Sequence, residues 1–402
     1  MSPLRAHAGR VIGALLAVTA GCSSDDRATG LVATDDALAT RMNPSIIAQG
    51  RQIFRFDTFG NETFWTDFAQ LNVKINALEP QDALAAGLKI DADVLPASLR
   101  QQLIDGDVDL TDPAITVALI GMTAVVGVVG TVENGAVVRV GLTCALCHST
   151  VDNSVIPSVG SRLDGWPNRD LNVGAIIALS DFIPDAPYNT WGPGMYDPRF
   201  NIDGQNIPVV LPPAFGLRHV KKEIYTGDDD VSYWNAYVAI TQMHGHGTFV
   251  DPRIGVNVSN PPDLVSSKLP ALRAYQLSLD TPKPQPGSYN TAAAMRGRAV
   301  FNGAAGCARC HLGSILSDVN TGKLHSGEEV GQDPAYALRS VTGLYRTTPL
   351  RGLWNPPQLD GPYFHDGSAA TLADVVDHYV SHFGLNLTAQ QKSDLVEYLK
   401  TL

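Results

Sequence analysis

Two pentapeptides of one form, Cys144-Ala-Leu-Cys147-His148 and Cys307-Ala-Arg-Cys310-His311, constrain this chain more than any other feature. Cys-x-x-Cys-His is the attachment signature of c-type haem. The spacing has a mechanical basis. Two thiols one turn apart at the start of a helix can reach the two vinyl groups of a porphyrin, and the adjacent imidazole then lies under the ring as an iron ligand. The 402 residues contain five cysteines, so the two motifs consume four and leave no pool for a disulfide network. A zinc site would want further Cys or His at paired spacing, and a thioredoxin-like pair would want a βαβ context with no histidine requirement. The motifs therefore predict two covalently bound haem c groups on Cys144, Cys147, Cys307 and Cys310, with His148 and His311 as iron ligands.

The fifth cysteine closes an export-like leader. Arg5 and Arg10 precede an apolar stretch from Val11 to Ala20, and the small residues Ala20-Gly21 stand directly before Cys22. Ten residues cannot span a bilayer core of about 30 Å as a helix. The pattern resembles a bacterial lipoprotein signal, with Cys22 as the lipidated first residue of the mature chain and Thr19 where such signals more often carry Leu. Residues 1–22 are thus expected to be a signal and residues 23–45 a flexible tether. This places the protein in the periplasm or cell envelope, attached to a membrane through a lipid anchor. A formal net charge of -11 offers no basic surface for nucleic acid.

The remaining pattern predicts a mainly α, loop-rich chain of two cytochrome-c-like haem domains, with a small β-hairpin in the N-terminal one. That domain is expected over 46–280 and its partner over 292–402, joined by a Pro-rich linker at 281–291 around Thr281-Pro-Lys-Pro-Gln-Pro-Gly287. Gln49 to Ala86 mixes aromatic and polar residues in an irregular helical period. The longest apolar run, Ala114 to Val129, is interrupted by Gly121 and Gly127, which suggests a buried helix over Pro113–Met122. Asn134-Gly135 between two Val-rich runs then predicts a hairpin leading into the first motif. From His148 to about Val250 proline is frequent and periodicity poor, so this stretch reads as loops in need of something large to pack against. Helices are expected over Lys268–Leu279, Ala292–Phe301, Leu372–His382 and Ala389–Leu402.

The sixth position of each iron is where function would be decided. No methionine follows Met295, which leaves His325, His365, His378 and His382 as local candidates at the second motif, or Met295 itself. His378 and His382 share a helix face and read as a packed or solvent-facing pair. His365 lies in the restricted loop Gly361-Pro-Tyr-Phe-His365-Asp-Gly367 and is the preferred distal ligand. A bis-His iron should have a lower potential than a Met/His iron. At the first motif, Met195, His219, Met243, His244 and His246 are all available. Met243-His-Gly-His246 is the densest cluster, and an open sixth position is equally compatible with the residues. Arg169, Arg346 and Arg351 are candidate partners for haem propionates. Trp166, Trp191 and Trp354 are candidate aromatics between the haems, or ordinary packing residues.

The C-terminal residues Gly297-Arg-Ala-Val-Phe301, Cys307–His311, Thr347-Thr-Pro-Leu-Arg351, Pro362-Tyr-Phe-His365-Asp-Gly367 and Thr371-Leu-Ala-Asp-Val-Val-Asp-His-Tyr379 resemble the dihaem cytochrome c peroxidase/MauG superfamily. The resemblance covers roughly 110 residues. Gly160-Ser-Arg-Leu-Asp-Gly-Trp166-Pro-Asn-Arg169 is similar, more loosely, to the segment after the first haem of the peroxidases. The resemblance implies two haem domains facing each other with an electron path between the irons. Phe364 stands where bacterial peroxidases place a Met, whereas rubber oxygenases, distant relatives, use a His in the comparable loop, as His365 would here. The peroxidase-type segment between the motifs is replaced by Trp191-Gly-Pro-Gly-Met195-Tyr-Asp-Pro.

These readings lead to an exported dihaem oxidoreductase of peroxidase or oxidase type, with the N-terminal haem as the reactive site and the C-terminal haem as relay. It would work with a redox partner protein or a small oxidant. The alternatives are a pure electron carrier with both irons six-coordinate, and a binding lipoprotein whose haems are structural. Calcium is left open by the sequence.

Overall fold

Two helix pairs, each crossing at a glycine, bracket the two cysteine motifs. The computed structural model describes residues 43–184, 187–354 and 361–402; the leader, Cys22 and nearly all of the tether lie outside the described residues. The helix Pro44–Phe56 starts at Asn43, whose side chain accepts from Ser45 N, and it buries Gly50, Ile53 and Phe54 on one face. That face meets the helix Leu269–Ser278 so closely that a Cβ at Gly50 would lie 1.9 Å from the Ala271 carbonyl oxygen. Phe54 then packs edge-to-face on Tyr275 at 5.5 Å.

The second pair repeats this arrangement. The helix Thr291–Asn302 crosses Ala389–Leu399 at Gly297, where a Cβ would lie 1.9 Å from the Asp394 carbonyl oxygen. Phe301 meets Tyr398 edge-to-face at 5.1 Å. The sequence carries the same repeat: Gly50-Arg-Gln-Ile-Phe54 matches Gly297-Arg-Ala-Val-Phe301, and Ala271-Leu-Arg-Ala-Tyr275 matches Asp394-Leu-Val-Glu-Tyr398. A glycine is required at each crossing because backbone touches backbone there.

Between the helices of the first pair lies a long insertion. The helix Pro113–Gly121 is followed by the expected hairpin, Val128–Glu133 with Ala136–Leu142. Asn134 and Gly135 turn it with φ of 51° and 77°, the positive values that a two-residue hairpin turn needs. No helix among the described residues is long and apolar enough to cross a membrane. The structure is mainly helical and loop-rich. Where one hairpin was expected, the described residues form five two-stranded sheets, four antiparallel and one parallel.

The stretch read as loops contains regular elements, among them a buried helix and, at its end, a hairpin. The helix Val231–Tyr237 runs on through a wide helical turn, Val238–Gln242. It is buried on nearly every side (Tyr233, Trp234, Ala236, Tyr237, Ala239, Ile240), so it lacks the polar face that periodicity detects. The hairpin Gly247–Asp251/Val256–Asn260 follows. The prolines of this region sit instead in connections that the second half of the chain holds in place. Arg339 donates to both carboxylate oxygens of Asp197 at 3.0 Å and to both of Asp203 at 2.8 Å.

Gly50→Ala and Gly297→Ala should each lower stability by about 1–3 kcal/mol, because the new methyl must push two helices apart. Denaturant unfolding measures this loss.

Candidate functional site

The first motif begins where the strand Ala136–Leu142 ends. Cys144 caps the short helix Ala145–His148, and the strand Ser149–Val151 leads away, paired with Arg162–Asp164. Gly165 N donates to His148 O at 2.8 Å and Asn168 N to Cys147 O at 2.9 Å, so residues 165–168 wrap the motif. The second motif is a single 3₁₀ turn, Cys307–Arg309, set off by Gly306 at φ 64°.

None of the four motif cysteines is in a disulfide. Burial pushes Cys144 and Cys147 up to about 12 and Cys307 up to about 11, and it raises Cys310 as well. Groups raised in this way are neutral thiols and not reactive thiolates; Cys310 has the charged groups Lys323, Asp318, Glu329 and Arg309 around it.

The two motif imidazoles are held in the same way. His148 Nδ1 lies 3.2 Å from the Pro212 carbonyl, and His311 Nδ1 lies 3.0 Å from the Leu316 carbonyl. A carbonyl only accepts, so each Nδ1 carries the proton and each Nε2 presents a lone pair. Burial keeps both rings neutral, lowering His148 to about 4 and His311 below its ordinary value. This is the second-shell pattern of a metal-ligating histidine. Leu316 reaches its position at φ 48°, in the left-handed region that a branched residue avoids.

The second motif opens on a cavity of about 690 Å³, within the range of small-molecule and cofactor sites. Cys307, Cys310 and His311 line it, together with His365 and the apolar side chains of Phe301, Leu372, Val376 and Leu399. The thiols of Cys307 and Cys310, the free Nε2 of His311 and this volume fit a covalently held haem.

His365 is buried among three tyrosines, with ring centroids 4.9 Å from Tyr345, 5.9 Å from Tyr336 and 6.2 Å from Tyr225. Its Nε2 lies 3.1 Å from the Tyr345 hydroxyl, a bond that iron ligation through that atom would replace. Phe364, at φ 65°, turns the other way and packs on His378 and Tyr379. The rings of Phe364 and His365 thus pack on different partners.

The other candidates are placed less directly. His325 is buried with both ring nitrogens engaged, Nδ1 by Glu329 at 2.8 Å and Nε2 by Asp318 and Thr347, both at 3.1 Å. Met295 is 72% exposed. His378 and His382 meet the backbone at Val330 and Glu329. Near the first motif, His246 has Nε2 at 3.1 Å from Thr63 and Nδ1 at 3.1 Å from the Pro261 carbonyl. Met243 is buried in the apolar cluster that includes Ala145 and Cys144. His244 stacks on Phe64 at 3.5 Å, and burial lowers it to about 4.

Arg169, Arg346 and Arg351 all line the cavity. Trp166 meets Phe215 edge-on, Trp191 donates to Asn206, and Trp354 is buried. Sequence reading missed the tyrosine cage, the buried Glu223 and the two carbonyls that orient the imidazoles. None of these has a local signal, because each comes from a segment distant in sequence or from a backbone atom.

A c-type haem polypeptide is the class that this geometry fits. No family model matches the chain. It is similar to proteins of the cytochrome c peroxidase/MauG superfamily. The methylamine utilization protein MauG of Methylorubrum extorquens is 34% identical over 125 residues, 27% of this chain and 34% of that protein. The cytochrome-c peroxidase IdrP1 of Pseudomonas sp. strain SCT is 31% identical over 147 residues, covering 27% of this chain and 39% of that one. Hydrazine synthase subunit gamma of Kuenenia stuttgartiensis is 31% identical over 147 residues, covering 28% and 41%. The matches thus span about a third to two-fifths of the length of these relatives. Among solved structures, Kuenenia stuttgartiensis hydrazine synthase aligns over 54% of this chain and 78% of its own at 20% identity, with a TM-score of 0.36, too low to bear on the fold.

His244 generates a pH dependence. Its pKa in the folded chain lies below the ordinary value, so acid protonates the unfolded chain first and stability falls as pH drops from about 6.5 towards 4, by up to about 1.4 kcal/mol per pH unit. His244→Asn, which tolerates the φ of 61° at this position, should flatten that part of a stability-versus-pH curve measured by denaturant unfolding.

Proposed function

We propose that the chain carries a covalent haem c at each motif and acts as an exported, lipid-anchored dihaem oxidoreductase of peroxidase or oxidase type. The observation that carries this reading is the shared treatment of the two motif histidines: each is half-buried and neutral, with Nδ1 donating to a backbone carbonyl and Nε2 left for a metal. The two glycine-crossed helix pairs support two haem units, over 46–280 and 292–402, joined by the linker at 281–291. The bound haems would supply one-electron chemistry at iron. The protein supplies ligation, orientation and exclusion of water.

In this reading the two sites have different roles. At the second, His365 is fixed by a restricted loop and by three tyrosines beside the cavity that holds His311, which supports a closed, six-coordinate relay. At the first, both ring nitrogens of His246 are engaged by the protein and Met243 is buried in an apolar cluster, which supports an open iron as the reactive site. Cys22 would carry the lipid that keeps the protein at the periplasmic side of a membrane. The small oxidant or redox protein with which it exchanges electrons would be met at these sites.

The oxidised protein should show one high-spin and one low-spin haem by electron paramagnetic resonance. In His365→Ala the low-spin signal should convert to high-spin and a new cyanide-binding site should appear, with haem content unchanged. His378→Ala should leave the spectrum as it is. A low-spin signal that survives in His365→Ala contradicts the assignment. Cys22→Ala should move the protein from the membrane to the soluble fraction.

A further inference from the structure

We propose that Arg169, on the segment that wraps the first motif, binds a propionate of the porphyrin held at the second motif. The inference rests on the haem reading above. Arg169 lines the cavity beside Cys307, Cys310 and His311. Its Nε and Nη1 are buried and have no hydrogen-bond partner among the described residues. A buried guanidinium left in that state is costly, and native chains resolve it with an anion.

Among the described residues, the neighbouring charges do not supply one. The buried acid of this wall is Glu223, and it is taken by Arg346, whose Nη1 donates to Glu223 at 3.1 Å and to the Lys222 carbonyl. Arg351 also lies in the field of Glu223. The ionisable groups acting on Arg169 are the phenols of Tyr225 and Tyr363, and burial draws its pKa down. With no such group among the described residues, the anion is assigned to whatever fills the cavity. A porphyrin propionate is a carboxylate, the planar partner that the guanidinium fork pairs with through two parallel bonds.

The position of Arg169 in the chain gives the pairing a consequence. Its immediate neighbour Asn168 donates its backbone N–H to Cys147, and Gly165 donates to His148. One short segment is therefore bonded to the first motif and, through Arg169, to the occupant of the second.

The test uses full-length, haem-loaded protein with Arg169→Met and Arg169→Lys. A cation beside a propionate favours the reduced iron, so in Arg169→Met one of the two midpoint potentials should shift downward, with a smaller shift in Arg169→Lys and two haems per chain in both. In a crystal structure of the loaded wild-type protein, the guanidinium should lie within hydrogen-bond distance of a propionate of the haem on Cys307 and Cys310. Unchanged potentials in Arg169→Met, or a guanidinium paired with any other group in the crystal, would overturn the assignment while the two-haem reading stands. A wild-type protein with no haem at the second motif would overturn both, and its spectrum would show this before any variant is made.

Discussion

The backbone of Val209–Pro212 touches both candidate sites, and the loop-rich middle of the chain is organised around it. The Pro212 carbonyl lies 3.2 Å from His148 Nδ1, and two residues earlier Val210 N donates to the His365 carbonyl at 2.8 Å. Tyr225 donates its hydroxyl to the Val210 carbonyl at 2.9 Å and packs on His365. On its other side, Val209–Val210 pairs with Met195–Tyr196. Two positions only two residues apart thus fix where the first motif's imidazole points and where the second motif's loop is pinned. Loops of this length bury too little apolar surface to order themselves. These bonds, and the Arg339 pairs to Asp197 and Asp203, supply the order.

The glycine crossings carry the architecture. Each motif has a helix before it and a helix after it, and in each pair a glycine lets the backbones meet while a Phe and a Tyr four residues beyond the contact close the end. The second unit does this with nine residues between Gly297 and Cys307, and the first with an insertion of helices and a hairpin between Gly50 and Cys144. An internal repeat is the simplest reading of two such pairs, and the proposed haem binding gives it a purpose: each pair closes over one motif.

Much of this was legible in the residues. The motifs, the Asn134-Gly135 turn, the helix starting at Pro113 and the closing helices follow from local chemistry, and the capping boxes at Thr371 and Thr388 fix the last two helix starts. The helix Val231–Tyr237 was not legible, because burial on most sides erases its period. The repeat at Gly50 was present as Gly-Arg-x-Ile-Phe but lies so far from its motif that spacing does not announce it. At the site, His365 could be chosen from its loop and from the missing methionine. The carbonyls on His148 and His311, the tyrosines around His365 and the unpaired nitrogens of Arg169 emerge only when distant segments meet.

Peptide mass mapping of the purified protein tests the central claim most directly. Two peptides, one containing Cys144 to His148 and one containing Cys307 to His311, should each carry the added mass of one haem. Disulfides or unmodified thiols at either pair would contradict it.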